Sequence, residues 1–150
     1  MQDFVHLHVH SQYSILDGQA SIQRLVDKAI ADGQRGIALT DHGNMFGVKE
    51  FWNYVKKKNG ARRDKVKGAQ KKVAELQAEV DAAESATEEQ LTELARLKAE
   101  LDSLPKEDFK AIIGCEVYVA RRGLHLKDKG HKEDMGGYHL ILLAKNEKGY

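Results

Sequence analysis

The sequence predicts an α/β fold of parallel βα units, interrupted by an inserted helical hairpin. Three observations carry that reading. The flanks, residues 1–59 and 108–150, hold every aromatic residue and nearly all of the glycines. Residues 61–104 hold no aromatic and a single glycine, Gly68, and are mostly Ala, Glu, Lys, Leu, Gln and Arg, a helix-forming composition. Within the flanks the apolar period changes along the chain, from strict alternation to a helical stripe to a short continuous run.

Taken in order, Phe4–His10 (FVHLHVH) alternates and reads as a strand. Its three histidines, His6, His8 and His10, share one parity, so on an extended strand they would point to one side. Ile22, Leu25, Val26, Ala29 and Ile30 follow the i, i+3, i+4, i+7, i+8 spacing of an amphipathic helix. Gly33 falls where a helix end favours positive φ. Ile37–Thr40 is a short apolar run typical of a strand buried on both faces. Phe46 to about Lys57 reads as a second helix, and Ala111–Ala120 and His139–Lys145 as two more strands. Strand alternating with helix is the pattern of parallel βα units.

The insert, residues 60–107, has its own repeat. Val66, Val73 and Val80 recur every seven residues, as do Ala69, Leu76 and Ala83, which are the a and d positions of a heptad. Thr87 with Gln90 three residues on forms a capping box that starts a second helix. Leu94 and Leu101, with Leu97 and Leu104, repeat the spacing until Pro105 stops it. The expectation is an antiparallel coiled-coil hairpin with helices near 64–84 and 87–104, roughly 31 and 26 Å long at 1.5 Å per residue. The basic cluster from Arg62 to Lys72 could touch nucleic acid, but acids downstream cancel its charge and favour a solvated helix surface.

With 24 basic and 23 acidic side chains in 150 residues, the formal charge of +1 exerts no global pull toward nucleic acid or membrane. Any charged site must be local. No apolar run approaches the roughly 20 residues of a membrane span, and the N-terminus lacks a basic-then-apolar leader pattern. The one cysteine, Cys115, cannot form an internal disulfide, which fits a reducing cytoplasm. It reads as a small buried filler beside Glu116.

Four places join histidines or acids to predicted strands or strand ends. They are His6/His8/His10 with Asp17, Asp41–His42 in LTDHGN, Glu116 in IIGCEVYV, and His139 in GGYHLILLAKN. Imidazole with carboxylate suits Zn²⁺, Mn²⁺ or Fe²⁺. An H-x-H pair on a strand places two ligands on one face, and Asp17 can return to the same mouth after its turn. Alone, a DHG is a common turn and a strand Glu is often merely exposed. Together, the four places point to a site for more than one metal ion.

The stretches LHVHSQYSILDG, ALTDHGNMFGVKEFW, IIGCEVYVA and HLILLAKNEKGY resemble the PHP (polymerase and histidinol phosphatase) domain. The nearest form is the one at the N-terminus of bacterial DNA polymerase III α subunits. The resemblance covers residues 3–59 and 109–150 and leaves the insert outside. It implies a distorted (β/α)7, TIM-barrel-like fold that binds up to three divalent ions at the C-terminal ends of its strands, with zinc first and Mn, Fe or Mg as alternatives. By motif position His8 and His10 would hold one ion, Asp17 and His42 another, Glu116 would bridge two, and His139 would complete the set. Asp17, His42 and Glu116 are the catalytic candidates. His6 reads as a supporting residue, Asp41 as one that orients its neighbours, and His139 reaches the site only if its strand begins before it.

The family's domain continues past residue 150 and supplies further ligands there, so the resemblance implies a partial barrel that is inactive by itself and lacks the polymerase active site. The implied chemistry is metal-assisted phosphoester hydrolysis, in the form of 3′–5′ exonuclease proofreading during DNA replication. The implied partners are primer–template DNA, the clamp and a proofreading subunit, in the cytoplasm and without a membrane. The alternatives are a non-catalytic domain that docks a replisome partner, and a stand-alone phosphatase of the same superfamily.

Overall fold

In the computed structural model, residues 4–83 and 85–150 are described. Residue 84, the expected end of the first hairpin helix, lies outside the described residues, as does residue 3, the start of the family resemblance. The chain divides into two compact units, Met1–Val55 with Phe109–Tyr150, and Lys56–Asp108.

The first unit contains α1 (Ile22–Ala31), β1 (Gly36–Leu39), β2 (Lys110–Ala120) and β3 (Gly137–Leu143), together with the start of α2 (Val48–Ala82). Ser21 caps α1, its hydroxyl accepting from Arg24 N. At the other end Gly33 takes φ 72°. Its N–H donates to Ile30 O and the Gln34 N–H to Ala29 O, a complete Schellman motif. The apolar stripe of α1 packs on β1 and the first turns of α2, making one core of Ile22, Val26, Ala29, Ile37, Leu39, Val48, Phe51 and Val55. Ile30, expected on that stripe, is 38% exposed.

The sheet order is β1-β2-β3. β1 and β2 are parallel, from Gly36 opposite Lys110 to Leu39 opposite Ile113. A Cβ on Gly36 would sit 2.5 Å from Lys110 O, so this register requires a glycine there. β2 and β3 are antiparallel, with Tyr118 opposite His139 and Glu116 opposite Ile141. This corrects the expectation of parallel units throughout. A parallel return needs a crossover, normally a helix, and the 121–136 connection carries one 3₁₀ turn, Lys132–Met135.

The predicted first strand is also corrected. Residues 4–10 run beside β1 but form no ladder, with a bend at His8. Ala38 N donates to His6 O and Thr40 N to Val9 O, so three residues on one side oppose two on the other. The slip is a bulge, and the Val9 N–H is satisfied by Thr40 Oγ1 at 2.9 Å instead of by a backbone carbonyl. It breaks the alternation between His6 and the two histidines that follow.

A third correction concerns α2. The second helix and the first hairpin helix, expected as separate pieces, are one helix from Val48 to Ala82. Gly60 and Gly68 each cost a helix about 1 kcal/mol relative to alanine, but the chain's one proline is Pro105, and good helix formers flank both glycines. Nothing in the sequence is strong enough to stop the helix.

In the second unit the helical turns of α2 beyond Val55 are followed by α3 (Glu88–Ser103). Thr87 caps α3 with the reciprocal capping box, its side chain accepting from Gln90 N while its own N–H donates to Gln90 Oε1. The two helices run antiparallel. Lys98 Nζ donates to Gln77 Oε1 near one end of the pair, and Arg62 donates to Pro105 O and Asp108 Oδ1 near the other. Leu94 is 6% exposed, and Val66, Ala69, Val73, Leu76, Val80, Leu97, Leu101 and Leu104 are half-buried while most of their neighbours are exposed.

Candidate metal centre

The site stands just past the C-terminal end of β1, beside the middle of β2. The β1–β2 register continues past Leu39. Glu116 N donates to Asp41 O, Gly43 N donates to Glu116 O, and His42 bridges to Glu116 in parallel sense. That continuation sets the His42 and Glu116 side chains beside each other.

The turn from Ser11 to Gly18 brings Asp17 back to the same place. Asp41 organises this turn. It is 1% exposed, and its Oδ1 accepts from Ser11 N at 2.6 Å and Ser14 Oγ at 3.0 Å while Oδ2 accepts from Ser11 Oγ at 3.0 Å. Ser14 Oγ also accepts from His42 N at 2.9 Å. One buried carboxylate thus fixes the turn and the backbone of His42 together. Gly18 is needed for closure, because a Cβ there would lie 1.9 Å from Ser11 O.

Around this frame the six expected side chains meet. Glu116 Oε2 is 2.6 Å from His10 Nε2 and 3.1 Å from His8 Nε2, and the two imidazole nitrogens lie 3.0 Å apart. Glu116 Oε1 contacts His139 Nδ1 across the β2–β3 ladder, a diagonal pair of the kind adjacent strands allow. Asp17 divides its oxygens in the same way, Oδ1 3.1 Å from His10 Nδ1 and Oδ2 2.8 Å from His42 Nδ1. His139 is reachable because β3 begins at Gly137, two residues before it. His6 is in none of these contacts and packs edge-on against Phe4 with ring centroids 4.7 Å apart, although it lines one cavity with His8, His10 and Asp17.

Ligand atoms fall into three overlapping sets, His8/His10/Glu116, His10/Asp17/His42 and His42/Glu116/His139, each within 4.8 Å. Every donor is an imidazole nitrogen or a carboxylate oxygen, a mixture that suits Zn²⁺ or Fe²⁺ through the imidazoles and Mn²⁺ through the carboxylates.

Charge reinforces the geometry. The bond to His42 holds the Asp17 carboxyl below its ordinary range, and the same bond raises the His42 imidazole above its own. Burial pushes Glu116 upward, but its bonds to His8, His10 and His139 outweigh that and leave it lowered. With both acids lowered, the carboxylates are held ionised, as metal ligation requires. Cys115, on the opposite face of β2, has its thiol pKa raised by burial, and Sγ lies 3.4 Å from Asn44 O.

Sequence reasoning missed Tyr118. Its hydroxyl contacts His42 Nε2, and its ring lies 4.9 Å from that of His139. The signal was available, since Tyr118 is two residues beyond Glu116 on one strand and so shares its face. Ser11 and Ser14 were missed as well. Nothing in their spacing announces that they bond a buried acid some thirty residues away.

Residues 6–150 match the family model described as the PHP domain. The chain belongs to the PHP domain family. Among curated relatives of this PHP chain are proteins named DNA polymerase III subunit alpha. That of Treponema pallidum (strain Nichols) is 40% identical over 98% of this chain and 8% of its own length. Those of Borreliella burgdorferi and Aquifex aeolicus (strain VF5) are 35% and 47% identical, over 98% and 99% of this chain. The chain therefore spans less than a tenth of the length of these relatives, 8% of the first two and 9% of the third.

Proposed function

We propose that this PHP chain supplies most of a multi-metal phosphoesterase centre in a DNA polymerase III α-type protein, where it trims mispaired 3′ ends. The observation that carries the reading is the Glu116 carboxylate, which stands in two of three overlapping donor sets. Glu116 spends one oxygen on His8 and His10 and the other on His139, and Asp17 spends one on His10 and one on His42. Glu116 therefore belongs to two of the three donor sets and would be shared between neighbouring ions, whereas Asp17 with His10 and His42 makes up a single set.

When bound, clustered divalent ions, zinc by first choice, supply Lewis-acid stabilisation of phosphoryl charge and an activated water. The residues themselves do the rest. His8, His10 and Glu116 would hold one ion and His10, Asp17 and His42 a second, while His42, Glu116 and His139 offer a third, shared set of donors. Tyr118, with its hydroxyl against His42, can donate a hydrogen bond to a phosphoryl oxygen brought to that edge. Asp41 and Ser14 keep His42 and the Asp17 turn in register.

The resemblance makes the rest of this reading specific: a β/α barrel completed by further chain, a coiled-coil hairpin at 60–107, a cytoplasmic replication enzyme, and partners comprising primer–template DNA and replisome subunits. The test is made on the full-length chain, by measuring metal content and trimming of a 3′-mismatched primer before and after His10→Ala. Loss of both supports the reading. Trimming that survives with metal content reduced assigns it to another site and overturns the proposal.

A further inference from the structure

We propose that the loop joining β2 to β3, residues 121–136, is a seat for a single nucleic-acid strand beside the metal centre. The inference rests on the phosphoesterase reading and adds where the substrate strand lies. The loop carries Arg121, Arg122, Lys127, Lys129 and Lys132 against Asp128, Glu133 and Asp134, a modest local excess of positive charge in a chain whose overall balance is near neutral.

That charge is arranged. Asp134, its side chain 2% exposed, accepts from Arg122 Nε at 2.8 Å and Nη2 at 2.5 Å, and from Asp128 N at 2.9 Å. One cation is thus consumed in folding the loop around a buried acid. Lys127 and Lys129 make no ion pair among the described residues. The Arg121 guanidinium rests over the Tyr138 ring, 5.1 Å from its centroid, an arrangement that leaves its donors available.

These three cations line a cavity of about 600 Å³ together with Tyr118, Leu126 and Met135 and two acids, Glu133 and the Asp134 that Arg122 pairs. Tyr118 ties the cavity to the centre, because its ring forms part of the wall while its hydroxyl contacts His42. Arg121 follows three residues later, about 10 Å further along at the rise of a strand. Cations spaced beside an exposed aromatic ring and apolar side chains are what a single strand requires, with phosphates on the charges and bases on the faces. A purely acidic peptide would use the charges and leave the aromatic wall without a role.

The test uses the metal-loaded full-length chain and an oligothymidylate with phosphorothioate linkages at its 3′ end. Lysine acetylation is mapped by mass spectrometry with and without this probe, and with polyglutamate as the competing polyanion. Protection of Lys127 and Lys129 by the oligonucleotide and not by polyglutamate is the expected result. Replacing the cations together (Arg121→Gln, Lys127→Gln, Lys129→Gln) should raise KM for 3′ trimming about tenfold. It should also flatten the log–log salt slope by about 2, at about 0.7 for each phosphate no longer neutralised. Equal protection by polyglutamate, or protection confined to Lys65, Lys67 and Lys71 of α2, would overturn the proposal. Protection of the loop in a chain that hydrolyses no phosphoester counts against the phosphoesterase reading alone.

Discussion

His42 and Glu116 face each other across a single parallel bridge that holds the β1–β2 register beyond the last residue of β1. The bridge explains why a loop residue and a strand residue lie side by side. It also makes Glu116 the pivot of the centre, since its carboxylate reaches His8, His10 and His139 while its backbone anchors the 41–43 turn.

Glu116→Gln tests that pivot. The amide keeps the shape and the backbone bonds but loses the charge that two ions would share. Metal affinity should fall by about 100-fold or more, exceeding the 10–100-fold typical of changes one step removed from the ligands, while far-UV circular dichroism is unchanged. Full metal content in the variant would remove Glu116 from the ligand set.

The grouping of these side chains was legible in the sequence because histidines and acids stand out against apolar runs. His8, Asp17, His42, Glu116 and His139 are polar groups set in apolar runs or just after them. The strands at 36–39 and 110–120 and the capping box at Thr87 were equally visible, each resting on local pattern. What stayed hidden depended on tertiary pairing. The bulge between His6 and Val9 arises from bonds to Ala38 and Thr40, and no local signal encodes it. The fusion of two predicted helices into α2 turned on the weakness of two glycines as breakers. The direction of β3 followed from a connection without an α-helix.

Protonation gives a second test. The bond to His42 lowers Asp17, so its contribution to stability is present above the ordinary carboxylate range and is lost as pH falls through the lowered value. His42 is raised by the same bond, so its contribution is complete below the ordinary imidazole range and is lost as pH rises through the raised value. Between these limits the metal-free pair carries a proton that a metal must displace. Zinc affinity should therefore rise with pH through and beyond the ordinary histidine range. Calorimetry in two buffers of different ionisation enthalpy should show proton release, reduced by Asp17→Asn, and equal heats in both buffers would contradict the pairing.

Ser14→Ala probes the frame under the ligands. The hydroxyl is buried, donates to Asp41 and accepts from His42 N, so its loss strands one buried partner on each side. A cost of about 1–3 kcal/mol is expected, read as a lower urea midpoint. Metal affinity should fall with it, because the His42 backbone is no longer tied to the Asp17 turn. A stability loss with metal affinity intact would show that the frame and the site are independent.

The helical unit should behave otherwise. Leu94 is the buried apolar residue of α3, and Leu94→Ala should cost about 2 kcal/mol, the low end for buried leucine because the pair is thinly covered. Hydrogen exchange should rise in the amides of α3 and in α2 residues opposite it. Amides of β1 and β2 should exchange as before, since none of the six candidate ligands belongs to Lys56–Asp108. Simultaneous loosening of the sheet would argue that the two units unfold as one.

Charge counting gives the last expectation, the number of ions that residues 1–150 can hold. The three ligand sets share members, His10, His42 and Glu116 each serving two. Two carboxylates, Asp17 and Glu116, oppose the six positive charges of three divalent ions. Ions in such clusters stand about 3.5–4 Å apart, where each unneutralised pair of charges repels strongly in a partly dry site. The first ion can draw on three donors, the usual number for a catalytic zinc, while each later one must share. Zinc titration should therefore show one tighter equivalent and a second weaker by about tenfold or more, with no saturable third. A sharp break at three equivalents of equal affinity would mean that donors beyond these six complete the centre within this chain, and the ligand set would have to be redrawn.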